Sequence, residues 1–146
     1  MHELTFHPLN TDRYRLLTTW FRDPELARRI QLPTPQWLHY VTTTPGVYAW
    51  LVYHATTAVG QVQLDTTSKG TGSIGLAVNP SLRRQGYGTA VLRALLTRPE
   101  ATRLHQIAAD VEADNTASCR CLVKAGFVLP SDRPDDDGFL HYIYAR

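Results

Sequence analysis

The sequence predicts a mixed α/β domain of the α+β kind, one unit over residues 1–146, and three observations carry that reading. The chain has 146 residues, 43% of them hydrophobic, enough for one sizeable core. Its apolar residues recur at helical spacing between Thr11 and Val41, then switch at Val47 to strand-like alternation, after which helical and strand patterns follow one another. No internal repeat, low-complexity tract or long linker interrupts the pattern, so the elements belong to one cooperative fold.

Leu4 to Leu9 reads as a first strand, and Asn10 or Thr11 caps a helix running through Tyr14, Leu16, Leu17, Trp20 and Phe21. Asp23-Pro24 ends that helix and starts PELARRI, with Asp23 as N-cap and Pro24 at the first helical position. Thr34-Pro35 repeats the device for TPQWLHYV. The β-branched and aromatic run VYAWLVYH, the turn ATTA and the alternating VGQVQLD predict an antiparallel hairpin.

SIGLAV sets Ile74, Leu76 and Val78 on one face and the small Ser73, Gly75 and Ala77 on the other, the pattern of a central strand with something pressed close against its second face. In GYGTAVLRALL, Val91/Leu95 and Leu92/Leu96 stand at helical spacing, so a glycine-rich loop feeds from strand into helix. HQIAADV reads as a buried strand, NTASCRCLVKAGF as a helix ended by Gly126, and FVLPSD and FLHYIYAR as two closing strands.

Composition argues against several classes. Fifteen Lys+Arg against thirteen Asp+Glu, scattered along the chain, do not make the contiguous basic face that nucleic acid requires. The N-terminus shows no basic stretch followed by an apolar run, and no window approaches a membrane span, so a cytoplasmic protein is expected. Six histidines without metal-ligand spacing predict no metal site. Cys119 and Cys121, two apart on one helix, point about 200° apart and read as small packing residues rather than a disulfide or acyl carriers.

The chemistry concentrates in NPSLRRQGYG. A loop that leaves a strand and enters a helix aims several backbone N–H groups without intrahelical partners at one spot, and that spot binds anions. Gly86 and Gly88 keep side chains out of the way of a phosphate, and Arg83 and Arg84 add forked cations. The spacing matches neither the P-loop nor the dinucleotide fingerprint, since Val91 takes the third glycine position.

Arg83-x-x-Gly86-x-Gly88, behind a strand ending Leu76-Ala77-Val78, resembles the acetyl-CoA signature [Q/R]-x-x-G-x-[G/A] of the GNAT superfamily of N-acetyltransferases. Asn115-x-x-Ser118 followed by Lys124-Ala-Gly-Phe127 is similar to the family's later motif, and the resemblance covers Gly72 to Phe127 most closely. The opening TDRYRLLTTWFRDPELARRI also resembles branches that acetylate ribosomal-protein N-termini or aminoglycosides. The resemblance implies a mostly antiparallel mixed sheet of six to seven strands flanked by about four helices, with SIGLAV splayed from HQIAADV and the pantetheine arm of acetyl-CoA in the opening.

It further implies that backbone groups of Leu76 and Val78 hold the pantetheine. The amides of Arg84, Gln85, Gly86, Tyr87, Gly88 and Thr89 would hold the pyrophosphate, with Arg83 or Arg84 on the adenosine phosphates and Asn115 and Ser118 near the acetyl region. An oxyanion donor is expected near the Val78 backbone. The activity implied is acetyl transfer to a primary amine, on a protein N-terminus or a small molecule, by direct attack in a ternary complex. No metal takes part, and the protein would be a monomer or homodimer. The alternative is a non-catalytic acyl-CoA binder or sensor on the same fold.

Two family features are replaced. Where many members carry a proton-donating Tyr, seven residues after the motif Asn, this chain has Leu122, and Ser118 on the same helical face is the nearest substitute. Where members often place a Glu before the glycine loop, SIGLAV has no ionisable group, so Asp65, Asp110, Glu112 and His54 are the candidate bases. Lys124 reads equally as a charge on the helix C-terminus. Asp132, Asp135, Asp136 and Asp137 form good turn chemistry that would also attract a cationic amine, and Trp20, Trp37 and Tyr40 either shape the acceptor groove or pack the core.

Overall fold

The structure, a computed structural model, describes residues 3–146. Six strands form one sheet in sequence order: β1 (Leu4–Pro8), β2 (Val47–His54), β3 (Thr57–Thr66), β4 (Thr71–Val78), β5 (Gln106–Glu112) and β6 (Phe139–Ala145). All neighbours are antiparallel except β4 and β5, which are parallel. The parallel pair needs a crossover, supplied by α4 (Tyr87–Leu96) and the short α5 (Pro99–Thr102).

Between β1 and β2 run α1 (Thr11–Thr19), a 3-10 turn over Trp20–Arg22, α2 (Pro24–Arg29) and α3 (Pro35–Thr43). Their starts are fixed by the caps the sequence announces: Asn10 accepts from the Arg13 amide, Asp23 from Leu26 and Thr34 from Trp37, with proline following the last two. Asn115 caps α6 (Thr116–Lys124), and Gly126 at φ +101° ends it.

Alternation along the strands sorts the core into two layers. Trp50, Val52, Val62 and Leu64 pack with Val91, Leu92 and Leu95 of α4 and Leu122 of α6 on one face of the sheet. Ala49, Leu51, Ala58 and Ala77 pack with Leu17, Leu26 and Val41 of the first three helices and Trp20 of the 3-10 turn on the other. Trp20 is thus core. Both cysteines are free and half-buried.

Two expectations are corrected. FVLPSD forms no seventh strand: Val128 exchanges two 2.8 Å backbone bonds with Ile143, after which Pro130 has no N–H to continue a ladder. The small-residue face of SIGLAV is not pressed upon at its centre either, because a Cβ at Gly75 would meet nothing within 4 Å. A close approach occurs on the opposite face, at Gly72, where a Cβ would lie 2.8 Å from Leu104 Cδ1. No helix among the described residues is long and apolar enough to cross a membrane, and no group of three His, Cys, Asp or Glu among them has the arrangement of a metal site.

Candidate active site

β4 pairs with β3 from Gly72 to Val78, yet with β5 only over Thr71–Ser73 against Gln106–Ala108. Beyond Ser73 the two parallel strands part, leaving the edge of Ile74–Val78 without a ladder partner, a surface on which an extended amide-bearing chain can add as a strand.

At the far end of that edge the chain turns through a tight loop. Asn79 accepts from the Ser81 amide at 3.1 Å and donates to Ala58 O at 2.9 Å, which pins the loop to β3. Arg84 at φ +63° and Gly86 at φ +83° both take the left-handed conformation, which a non-glycine residue such as Arg84 adopts only under constraint from its surroundings. Gly86 is the N-cap of α4 and offers no side chain to its first amides, so those of Gly88 and Thr89 are left for an external acceptor.

Gly88 has a second reason to be glycine. A Cβ there would lie 2.8 Å from Cys121 Sγ, so α4 and α6 touch through this position. Arg83 is turned away from the loop and pairs with Asp23, the cap of α2. The Arg83 guanidinium, together with the Leu26 amide, holds the Asp23 carboxyl below its ordinary value.

A cavity of about 340 Å³ occupies the opening between β4 and β5 and continues under α2 and α3. Ile74, Gly75 and Leu76 line one side, and Ala109 to Glu112 the other. Asn115, Ser118 and Leu122 of α6 reach it from one layer, and Trp37 with the Ile30–Thr34 segment from the opposite layer. Of the residues expected at the site, Leu76, Asn115 and Ser118 therefore meet in one cavity. Val78 packs instead with the α4 layer, and Arg83 to Thr89 lie outside the cavity lining, at the N-terminus of α4. Asn115 spends its carbonyl on the Ser118 amide at 3.3 Å.

The candidate bases separate. Asp110 and Glu112 line the cavity. Asp110 accepts from His141 Nδ1 at 2.6 Å, and His141 Nε2 lies 2.8 Å from Asp135, so Asp110 and then Asp135 push the imidazole above its ordinary value. Asp135 is the organiser of its turn: its Oδ1 accepts the Asp137 and Phe139 amides, and the latter does most to lower its carboxyl. Glu112 faces Arg29, which is 11% exposed and also reaches Asp114 and Glu25, tying α2 across the cavity to the end of β5. His54 lies elsewhere, its Nδ1 2.9 Å from the Tyr87 hydroxyl. Lys124 O accepts from Arg93 at 3.0 Å, at the C-terminus of α6.

Asp65 sits one step outside the cavity in a chain that sequence reading missed. Trp37 Nε1 donates to Gln63 Oε1 at 2.9 Å, Gln63 Nε2 to Asp65 Oδ1 at 2.7 Å, and the exposed Tyr40 to Asp65 Oδ2 at 2.8 Å, which raises the phenol above its ordinary value. Trp37 thus lines the cavity, and Tyr40 closes the outer end of this chain of bonds. The signal was present in the alternation of Gln61, Gln63 and Asp65 on one face of β3, which looks like a solvated face until helices are known to cover it.

Comparison with known proteins agrees with this geometry. Residues 3–128 match the family model described as an acetyltransferase (GNAT) domain. An uncharacterized N-acetyltransferase of Bacillus subtilis, YfmK, is 32% identical over 140 residues, 94% of each chain. Among solved structures, the aminoglycoside acetyltransferase AAC(6')-Ib with coenzyme A and kanamycin superposes with a TM-score of 0.79 at 20% identity, covering 99% of this chain and 95% of that one. Spermidine N-acetyltransferase of Vibrio cholerae with CoA and spermine gives 0.82 at 14%, covering 97% and 95%. These superpositions show a shared fold, and the family match supplies the chemistry: the chain belongs to the GNAT family of acetyltransferases and is an N-acetyltransferase.

Proposed function

We propose that this protein transfers the acetyl group of acetyl-CoA to a small-molecule primary amine by direct attack in a ternary complex. The observation that carries the reading is the opening between β4 and β5, with uncapped α4 amides at one end and a carboxylate-lined cavity along it. Acetyl-CoA brings a thioester; the amine nitrogen bonds to its carbonyl carbon, the C–S bond breaks, and the thiol departs.

The chain's own groups divide the work. Backbone groups of Leu76 and Val78 would pair with the pantetheine amides, and the Val78 amide would face the developing oxyanion. The amides from Arg84 to Thr89 would take the pyrophosphate, adding a helix-dipole contribution of roughly 0.3–1 kcal/mol per charge contact. Arg84 stands beside them, and Arg83 would join by exchanging Asp23 for phosphate. Asn115 reaches the acetyl region through its amide nitrogen, since its carbonyl caps α6.

An alkylamine of pKa about 10.4 must lose a proton before attack, which at pH 7 costs on the order of 4–5 kcal/mol. Asp110, at the cavity wall and held by His141, takes that proton directly or through water, and Glu112 adds to the attraction for the ammonium form. Ser118, half-buried on the cavity wall, is placed to return a proton to the leaving thiolate in the position where Leu122 offers none. The bound kanamycin and spermine of the structural neighbours agree with an amine of this size.

The test is release of free CoA from acetyl-CoA in the presence of a panel of amines, with acetyl-CoA binding followed separately by thermal shift. Acetyl-CoA is expected to stabilise the protein, and at least one small amine to release CoA. Stabilisation without release for any amine would leave a binding protein rather than this reaction.

A further inference from the structure

Gln61 stands on β3 between Leu51 of β2 and Ala77 of β4, two residues along the strand from the Gln63–Gly75 pair on the same face. It is 9% exposed, lines the cavity, and its Nε2 has no hydrogen-bond partner, the sole buried side-chain nitrogen or oxygen so left among the described residues. Both ends of the neighbouring Gln63 amide are committed, to Trp37 and to Asp65. Beside it on β4 Ala77 is packed, but diagonally, over Gly75, the floor is open, since a Cβ there would meet nothing within 4 Å. A buried amide donor left unmade is costly, and it is retained where something else completes it.

We propose that Gln61 is a specificity-determining residue that donates to a hydroxyl oxygen of the acceptor, so that the cavity selects a small hydroxylated primary amine over a plain alkylamine. The inference rests on the acetyl-transfer reading and adds the second functional group of the substrate. Nε2 is covered and the last side-chain torsion is soft, so the amide would turn its donor toward the cavity that Gln61 lines when an acceptor is present there. A cavity of about 340 Å³ suits a small molecule, the ammonium lying toward Asp110 and Glu112 across the opening and the hydroxyl toward Gln61.

The experiment compares 2-amino-1-phenylethanol with phenethylamine, which differ by one hydroxyl, and adds the tripeptide Ala-Ala-Ala, for the wild type and Gln61→Leu. Leucine keeps the volume and removes the unmade donor. Wild type is expected to acetylate the amino alcohol with kcat/KM about five- to tenfold higher than phenethylamine, the value of one neutral hydrogen bond. Gln61→Leu should erase that preference while raising the ligand-free Tm by about 3 °C.

A lower Tm for Gln61→Leu would show that the amide is satisfied in the free protein and would overturn the proposal. So would a preference that survives the substitution, use of neither amine by a protein that binds acetyl-CoA, or Gln61-dependent acetylation of the tripeptide alone. Absence of any acetyl-CoA stabilisation would instead refute the acetyl-transfer reading, while the Tm of Gln61→Leu would still judge Gln61.

Discussion

Gly88→Ala separates two reasons for a glycine in the first turn of α4. The added methyl would lie 2.8 Å from Cys121 Sγ and 3.4 Å from Val78 Cγ2, so α4 and α6 must move apart or the thiol must swing away. Overpacking of this kind costs about 1–3 kcal/mol. Against it stands the gain from replacing a helical glycine, about 0.5–1 kcal/mol, leaving a net loss on the order of 1–2 kcal/mol. For a domain of this length that lowers Tm by about 3–6 °C. The double variant Gly88→Ala with Cys121→Ala deletes the offending sulfur and leaves the nearest contacts at Val78 Cγ2, 3.4 Å away, and Cys121 Cβ, 3.7 Å away, ordinary van der Waals distances. A thermal-melt double-mutant cycle, with acetyl-CoA affinity measured by calorimetry on each variant, reads both quantities. The helix-contact account expects the double variant to recover most of the stability lost by Gly88→Ala and to recover acetyl-CoA affinity with it. Recovered stability with affinity still lost would show that Gly88 is there for the phosphate, and strictly additive destabilisation would refute the contact.

Gly86→Glu places a carboxylate at the N-cap among the α4 amides and is expected to weaken acetyl-CoA binding more than a hundredfold, with a Tm loss of a few degrees from the left-handed φ of +83°; calorimetry with intact affinity would remove the loop from the cofactor site. Asp23→Asn keeps a cap for α2 but releases Arg83, so acetyl-CoA should bind several-fold more tightly, and an unchanged Kd would show that Arg83 takes no part. His141 is raised above 6.5 and Asp135 lowered below 3.8, so their tie stabilises fully between about pH 4 and 6.5, fading as pH rises through the folded histidine value or falls through the folded carboxylate value. The Tm difference between wild type and His141→Gln should therefore be larger at about pH 5 than at about pH 8.5, and equal differences would dissolve the Asp110–His141–Asp135 bridge. Ser118→Ala should lower kcat with acetyl-CoA affinity unchanged; undiminished turnover would take Ser118 out of the reaction.

Local chemistry made much of the fold readable. Asn10, Asp23 and Thr34 cap their helices because a short side-chain oxygen and a following proline leave the backbone few alternatives, and each does so where the pattern places it. The strand run through Val47, Val62 and Ile107 was legible from β-branched alternation. Less legible was anything decided by packing at a distance. Gly75 and Gly72 look alike in sequence, yet a Cβ at Gly72 would be crowded by Leu104, Leu64 and the Asp65 carbonyl, while one at Gly75 would meet nothing within 4 Å. The opening itself rested on family likeness, since no residue of SIGLAV announces that its ladder stops at Ser73.

The candidate site divides along the same line. The glycine loop was legible because left-handed φ and uncapped amides are written into Gly86. Arg83 was read as a phosphate ligand, and its partner Asp23 stands sixty positions away, beyond any local rule. Gln61 and Gln63 stand in an ordinary hairpin alternation, and no local rule announces that Trp37 of α3 reaches down to Gln63. Asp110 and His141 meet through the register of β5 against β6, which places them opposite each other.

The most direct measurement is mass-spectrometric detection of the N-acetylated amine from isotopically labelled acetyl-CoA, with free CoA counted in the same reaction, for wild type and Gly86→Glu. Transfer through the opening between β4 and β5 predicts labelled N-acetyl product in step with CoA from the wild type and none from Gly86→Glu. Labelled product at an undiminished rate from Gly86→Glu, or CoA released from the wild type without any N-acetylated amine, would contradict it.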